Sequence, residues 1–277
     1  MNSFYASVEQ QDEPKYRNRP LIVVPCVSDY TCAIAASYDA KALGIKTGTK
    51  VSEAKHICPD VYVIEARPKR YVEVHNEIIK ILSDNFKKVK ILSVDEMTCY
   101  LDDNTDEYDA FFIAEKIKNE FKKCLGEYLT FSVGVAPNTF LAKVASDFNK
   151  PNGYYCLSFD HIEEDMTKLD LLELPGIKKR IASRLSKVGI KSIQDLYDSD
   201  ILRLKDGWQS IVGVKWYHML RGSTECDYGE HIYDIPKTIG HSHVLPPNKR
   251  NYHGAYEVYQ SLIFRALERL KKYRLSA

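Results

Sequence analysis

The sequence predicts an α+β, multi-domain fold, on three observations. Strand-length apolar runs alternate with helical patterns from Leu21 to Leu157. Between Thr167 and Arg221 the strand signal stops and short, glycine-punctuated helical patterns take over. A strand-like run at Thr238–Leu245 is then followed by a helical pattern at Tyr256–Leu270. A length of 277 residues suits about two domains, and 44% hydrophobic residues supply material for their cores.

Taken in order, Leu21–Val24 and Cys32–Ala36 are apolar runs of strand length, a helix opens near Ser37 and closes at Gly44, and Val61–Ile64 reads as a further strand. Tyr71, Val74, His75, Ile78, Ile79 and Leu82 recur at helical spacing. The stretch Val89–Leu101 reads as a strand hairpin interrupted by adjacent acids. A second amphipathic helix puts Ala110, Ile113, Ala114, Ile117 and Phe121 on one face. The strand Leu129–Val135 leads through Pro137-Asn138 into a helix from Thr139, and Tyr154–Leu157 closes this part. Gly176, Gly189, Gly207 and Gly213 then punctuate short helices, which sets a boundary near residue 157. Residues 224–234 lack helical periodicity and read as a linker. The 43 residues from Ile235 onward are fewer than the roughly 50 of an independent domain.

No apolar run reaches the roughly 18 residues of a bilayer span, and the first residues lack the basic-then-apolar layout of a signal peptide. The expected location is the cytoplasm, with no membrane partner. Seven scattered cysteines, an odd number with no C-x-x-C pair, argue against a disulfide framework and a zinc site. The net charge of +1 conceals an uneven distribution: from Ile235 onward eight Lys or Arg face two Asp or Glu, leaving 31 basic and 36 acidic residues before it. This basic segment, with Lys249, Arg250, Lys271 and Arg274, suits a phosphate backbone, the alternative being a solvated helix face.

The most informative stretch is Ile91-Leu92-Ser93-Val94-Asp95-Glu96-Met97-Thr98-Cys99-Tyr100-Leu101, a strand-like run broken by two carboxylates. Burying both as ions costs several kcal/mol unless a cation compensates, and a divalent metal is the strongest partner. Neighbours on a strand point to opposite faces, so the pair can serve one site only if the backbone bends there. A hairpin turn with solvated acids is the alternative. Gly240-His241-Ser242-His243 is not read as a metal site, because no Cys or third His lies nearby.

Four motifs occur in fixed order: Met1-Asn2-Ser3-Phe4-Tyr5-Ala6-Ser7-Val8-Glu9, Ala36-Ser37-Tyr38-Asp39-Ala40-Lys41, Ser93-Val94-Asp95-Glu96, and Ala145-Ser146-Asp147-Phe148-Asn149-Lys150-Pro151-Asn152-Gly153. Together they resemble the Y-family (DinB/UmuC-like) translesion DNA polymerases over essentially the whole chain. The resemblance implies a ferredoxin-like palm (1–3 and 67–156), small α/β fingers (4–66), an all-α helix-hairpin-helix thumb (157–223), a linker (224–234) and a partial α/β little finger (235–277). It implies template-directed transfer of a dNTP to a primer 3′-hydroxyl on primer-template DNA, using two Mg²⁺ ions and no proofreading.

By the same resemblance, Asp95 bridges both ions, Glu96 binds the catalytic one, and Met1 lends a backbone carbonyl. Phe4 and Tyr5 form the nucleotide platform, with Tyr5 the steric gate against a 2′-hydroxyl. Tyr38, Lys41 and Lys150 contact the triphosphate; the family usually has Arg where Lys41 stands, and an ammonium cannot make the bidentate contact of a guanidinium. Leu172–Ile177 and Val188–Ile190 resemble a helix-hairpin-helix in which amides near Gly176 and Gly189 hold a DNA phosphate, with Lys178 in place of its second glycine.

One departure stands out. The family places a third metal-binding Asp immediately before the Met-Asn-Ser-Phe-Tyr run, upstream of Met1 here, so truncation at both ends is expected. A sliding clamp would engage a further C-terminal segment. Two alternatives remain: a catalytically inactive DNA-binding remnant, and a nucleotidyl cyclase, which would have no use for the DNA-gripping hairpin after residue 170.

Overall fold

The computed structural model describes residues 1–224 and 238–275, so most of the expected linker and Cys226 lie outside the described residues. The fold is mixed α/β and divides into two compact units. One holds Ser3–Ile78, Leu125–Leu129 and the described residues of Tyr233–Ala277; the other holds Met1–Asn2, Ile79–Cys124 and the described residues of Thr130–Ile232.

In the unit that contains Ser3–Ile78, α1 (Phe4–Asp12) precedes a three-stranded sheet of order β2-β1-β3, with β1 at Leu21–Val24, β2 at Ala35–Ala36 and β3 at Tyr62–Glu65. Four consecutive apolar residues let β1 be buried throughout as the central strand. It pairs antiparallel with β2 (Ile22 opposite Ala36) and parallel with β3 (Leu21 opposite Tyr62). Ile22 and Val24 share a core with Ala40 of α2 (Tyr38–Ala42) and with Val51 and Ala54 of α3 (Val51–Ile57). Ser37 caps α2, accepting from the Ala40 amide at 3.2 Å. The expected strand Cys32–Ala36 shrinks to two residues, because Cys32 forms only an isolated bridge to Lys50. The helical pattern from Tyr71 becomes α4 (Pro68–Asn85), with Tyr71, Val74, Ile78 and Leu82 buried.

The other unit holds two separate strand pairs. β4 (Val89–Ile91) and β5 (Met97–Cys99) form the antiparallel hairpin; β6 (Val133–Val135) and β7 (Tyr154–Cys156) pair in parallel. α5 (Glu107–Leu125) lies between them in sequence, and α6 (Thr139–Phe148) connects β6 to β7. The expected ferredoxin-like sheet is therefore not continuous among the described residues. Met1 and Asn2 lie near both pairs: Met1 N donates to Asp95 O at 2.6 Å, beside the hairpin, and Asn2 N donates to Thr130 O at 3.0 Å, ahead of β6. Gly134 lets β6 lie against α6, since a Cβ there would stand 2.1 Å from the Ala142 carbonyl oxygen.

Five short helices follow: α7 (Ile162–Met166), α8 (Lys179–Lys187), α9 (Ile193–Asp198), α10 (Ile201–Trp208) and α11 (Val212–Leu220). They share one hydrophobic core with Leu141, Val144 and Ala145 of α6, so buried contacts run continuously past residue 157. Gly207 and Gly213 do not punctuate helices but lie inside α10 and α11 at close contacts, a Cβ at Gly213 falling 2.2 Å from the Leu204 carbonyl oxygen.

The expected strand Thr238–Leu245 is not formed. A strand needs a hydrogen-bonded neighbouring strand, and among the described residues this stretch pairs with none. Where a partial α/β little finger was expected, the described residues form a one-turn helix at Pro247–Lys249 and the helix Tyr252–Lys272.

Candidate active site

Asp95 and Glu96 lie in the turn between β4 and β5 rather than within a strand. The Leu92 and Ser93 amides both donate to the Glu96 carbonyl, at 2.9 and 3.1 Å, which bends the chain at the acidic pair. Ser93 Oγ donates to Asp95 Oδ1 at 2.8 Å and accepts from the Asp95 amide at 3.3 Å. Both carboxylates are partly solvated, so the full burial cost expected from the strand-like pattern is not incurred. Part of their charge is met by Lys143 of α6, whose ammonium pairs with Glu96. The bond from Met1 N to the Asp95 carbonyl sets Met1 beside this turn.

Carboxylate oxygens are the hard donors that Mg²⁺ takes, so Asp95 and Glu96 carry the chemistry such an ion needs. Among the described residues no three His, Cys, Asp or Glu side chains converge as a metal-holding group, so a two-ion site needs further oxygen donors. Lys150, expected on the triphosphate, pairs with Asp147 one turn back.

The other predicted nucleotide contacts group in the unit that holds Ser3–Ile78. Ser3 takes a left-handed conformation (φ 48°) at the start of α1, and Lys41 Nζ donates to its hydroxyl at 2.8 Å while sitting 4.5 Å above the Tyr38 ring. A non-glycine residue held this way stores about 1–2 kcal/mol, a strain typical of functional turns. Phe4 is buried, and the Tyr5 ring packs on Tyr71 at 4.5 Å between centroids. Behind them Glu9, 2% exposed, accepts from the Tyr71 hydroxyl at 2.8 Å and from Arg67 Nε at 3.0 Å. Burial, then the Glu9 carboxylate, pushes the Tyr71 phenol well above its usual range. Arg67 and Arg70 also bind Asp12, which ties α1 to the start of α4.

The stretch read as a helix-hairpin-helix turns at two glycines. Gly176 and Gly189 adopt φ of +94° and +80°, which only glycine takes without strain. Lys178 sits at φ −123° as the residue before α8, so the position expected to need a second glycine does not require one. No side chain caps α8, and its first amides remain available to an anion. Lys178, Lys179, Arg180, Arg184, Lys187 and Lys191 are all exposed, with no acid between Leu174 and Ser192. Lys249 pairs with Glu257, and Arg250 donates to the Leu245 carbonyl, whereas Lys271 and Arg274 are exposed at the end of the helix Tyr252–Lys272.

A family model described as the impB/mucB/samB family matches residues 1–147, more than half of the chain. The chain belongs to this family. It is the Y family that the four motifs resemble. Curated relatives carry the name DNA polymerase IV: that of Bacillus velezensis is 32% identical over 279 residues, covering 100% of this chain and 66% of the relative. That of Vibrio vulnificus is 31% identical over 275 residues, covering 98% and 76%. Among solved structures, an insertion ternary complex of Dbh DNA polymerase matches with a TM-score of 0.73 at 27% identity, covering 81% of this chain and 66% of that one. DinB from Sulfolobus solfataricus matches with a TM-score of 0.69 at 28% identity, covering 79% and 64%. The chain thus spans about two thirds of the length of such Y-family proteins.

Sequence reasoning missed Lys143, the Glu9 network and the five further basic residues around α8. The last were visible as an acid-free stretch of sequence. Lys143 and Glu9 were not, because their partners stand 47 and 58–62 positions away.

Proposed function

We propose that the chain acts as a template-directed DNA polymerase of the translesion type, joining a dNTP to a primer 3′-hydroxyl. The 3′-oxygen forms a bond to the α-phosphorus as the bond to the pyrophosphate group breaks. The hydroxyl proton leaves to solvent, and the chain supplies no proofreading. What carries the reading is the pair Asp95 and Glu96 on a bent turn in a chain of this family.

Asp95 and Glu96, with the Met1 carbonyl, would hold Mg²⁺, which when bound stabilises charge on the reacting oxygens. Phe4 and Tyr5 support the sugar and base, and Tyr5 excludes a 2′-hydroxyl. Tyr38, Lys41 and Lys150 orient the triphosphate; for Lys150 this requires exchanging Asp147 for phosphate. Amides near Gly176 and Gly189, together with Lys178 and the other cations around α8, grip duplex phosphates, as do Lys249, Arg250, Lys271 and Arg274. In domain terms, 1–3 and 67–156 act as palm, 4–66 as fingers, 157–223 as thumb and 235–277 as part of a little finger. A cytoplasmic location and a sliding clamp partner complete the proposal.

The test is incorporation of a single dNTP opposite each template base. The reading expects the complementary nucleotide to be selected, and the reaction to stop when the divalent ion is chelated. Incorporation that ignores the template base would overturn it. A second reading, DNA binding without catalysis, is favoured by one observation: the described residues bring no third carboxylate to Asp95 and Glu96. Duplex binding with no incorporation would select it.

A further inference from the structure

Resting on the reading of Tyr5 as the residue that selects the sugar, we propose that Tyr71 and Glu9 are positioning residues for that selection. Tyr71 fixes the ring of Tyr5, and Glu9 fixes Tyr71. A steric filter works only if the ring that fills the excluded space is held to within a fraction of an ångström, and a displacement of about 1 Å can undo a selective contact. Tyr5 is the second residue of α1 and only partly buried, so its backbone alone does not fix its ring.

Its neighbour Tyr71 does. The two rings lie 4.5 Å apart at 31°, and Tyr71 is 3% exposed and also touches Phe4, at 6.3 Å between centroids. Packing alone would tolerate sliding of one ring across the other. The Tyr71 hydroxyl removes that freedom by donating to Glu9 Oε1 at 2.8 Å. Glu9 is in turn held by Arg67 Nε, 3.0 Å from each carboxylate oxygen, and by Arg67 Nη2 at 2.8 Å. An ionised carboxylate buried behind an aromatic platform is costly, and an apolar residue there would fill the space without that cost. What the acid adds is a directional anchor for one phenol.

The experiment uses the full chain on primer-template DNA with a 3′-deoxy primer end, so that nucleotides bind without reacting. It reads the ratio of dissociation constants for CTP over dCTP opposite template guanine, together with Tm. Tyr71→Phe keeps the ring and loses the anchor; the ratio should fall about tenfold while dCTP affinity changes less than about twofold. Glu9→Gln keeps an acceptor for Tyr71 but loses the ion pair with Arg67; it should lower Tm more than Tyr71→Phe does, yet retain most of the ratio.

An unchanged ratio in Tyr71→Phe overturns the proposal. So does a ratio that simply follows Tm across both variants, since that would make the network structural only. Tyr5→Ala separates this inference from the reading beneath it. If Tyr5→Ala collapses the ratio and Tyr71→Phe does not, only the positioning role falls. If Tyr5→Ala leaves the ratio unchanged, or the unaltered chain binds neither nucleotide, the reading of Tyr5 falls and the inference with it.

Discussion

Glu96 carries a lysine. Lys143 gives this carboxylate the compensation that the apolar surroundings of the acidic pair led us to assign to a metal. An ammonium and a divalent ion compete for the same oxygens, and removing the ammonium makes the local potential more negative. Lys143→Ala is therefore expected to tighten Mn²⁺ binding several-fold, read by titration of the full chain; weaker binding would make Lys143 a support for the site. For Lys41 the proposed role is the opposite. Its ammonium is the cation held at Ser3 and Tyr38, and a charge-assisted hydrogen bond is worth about 1.5–3 kcal/mol. Lys41→Ala should raise the dNTP dissociation constant by about tenfold or more, and an unchanged constant would remove Lys41 from the triphosphate contacts.

Elements were legible where a local pattern suffices, as for the buried strand at Leu21–Val24 and the helix around Tyr71, Val74 and Ile78. Strands at Cys32–Ala36, Leu129–Val135 and Thr238–Leu245 came out shorter or absent because pairing depends on a partner that composition does not display. The acidic pair stands out in the sequence, but its setting does not: the turn that bends it is made by two amides sharing one carbonyl. Asn138 shows what an element owes to distant contacts. Its side chain caps α6 by accepting from the Leu141 amide at 2.9 Å and donates to the Met219 and Ser223 carbonyls at 2.9 and 3.1 Å. Asn138→Ala should cost about 2–4 kcal/mol by denaturant unfolding, from the lost cap and the two lost side-chain bonds together. Asn138→Ser, which keeps a capping oxygen alone, should recover part of that loss. A cost under about 0.5 kcal/mol for Asn138→Ala would mean that the cap and its bonds contribute little.

Over the whole molecule a net charge of +1 hides two concentrations of positive charge, one around α8 and one in the helix Tyr252–Lys272. Neither reads sequence; both suit phosphates, so duplex affinity should fall steeply with salt. Lys178→Ala and Lys271→Ala should each reduce the slope of log K against log salt by about one, uniformly across DNA sequences. Metal chemistry and grip are thus assigned to different residues, and separating them is the most direct test of the account. Asp95→Ala should be compared with the unaltered chain in two measurements on the same primer-template: single-turnover dNTP incorporation with Mg²⁺, and duplex dissociation constant. The account predicts incorporation by the unaltered chain, loss of at least about a thousandfold in Asp95→Ala, and duplex affinity unchanged within about twofold. Retention of a tenth or more of incorporation by Asp95→Ala, or none by the unaltered chain, would contradict it.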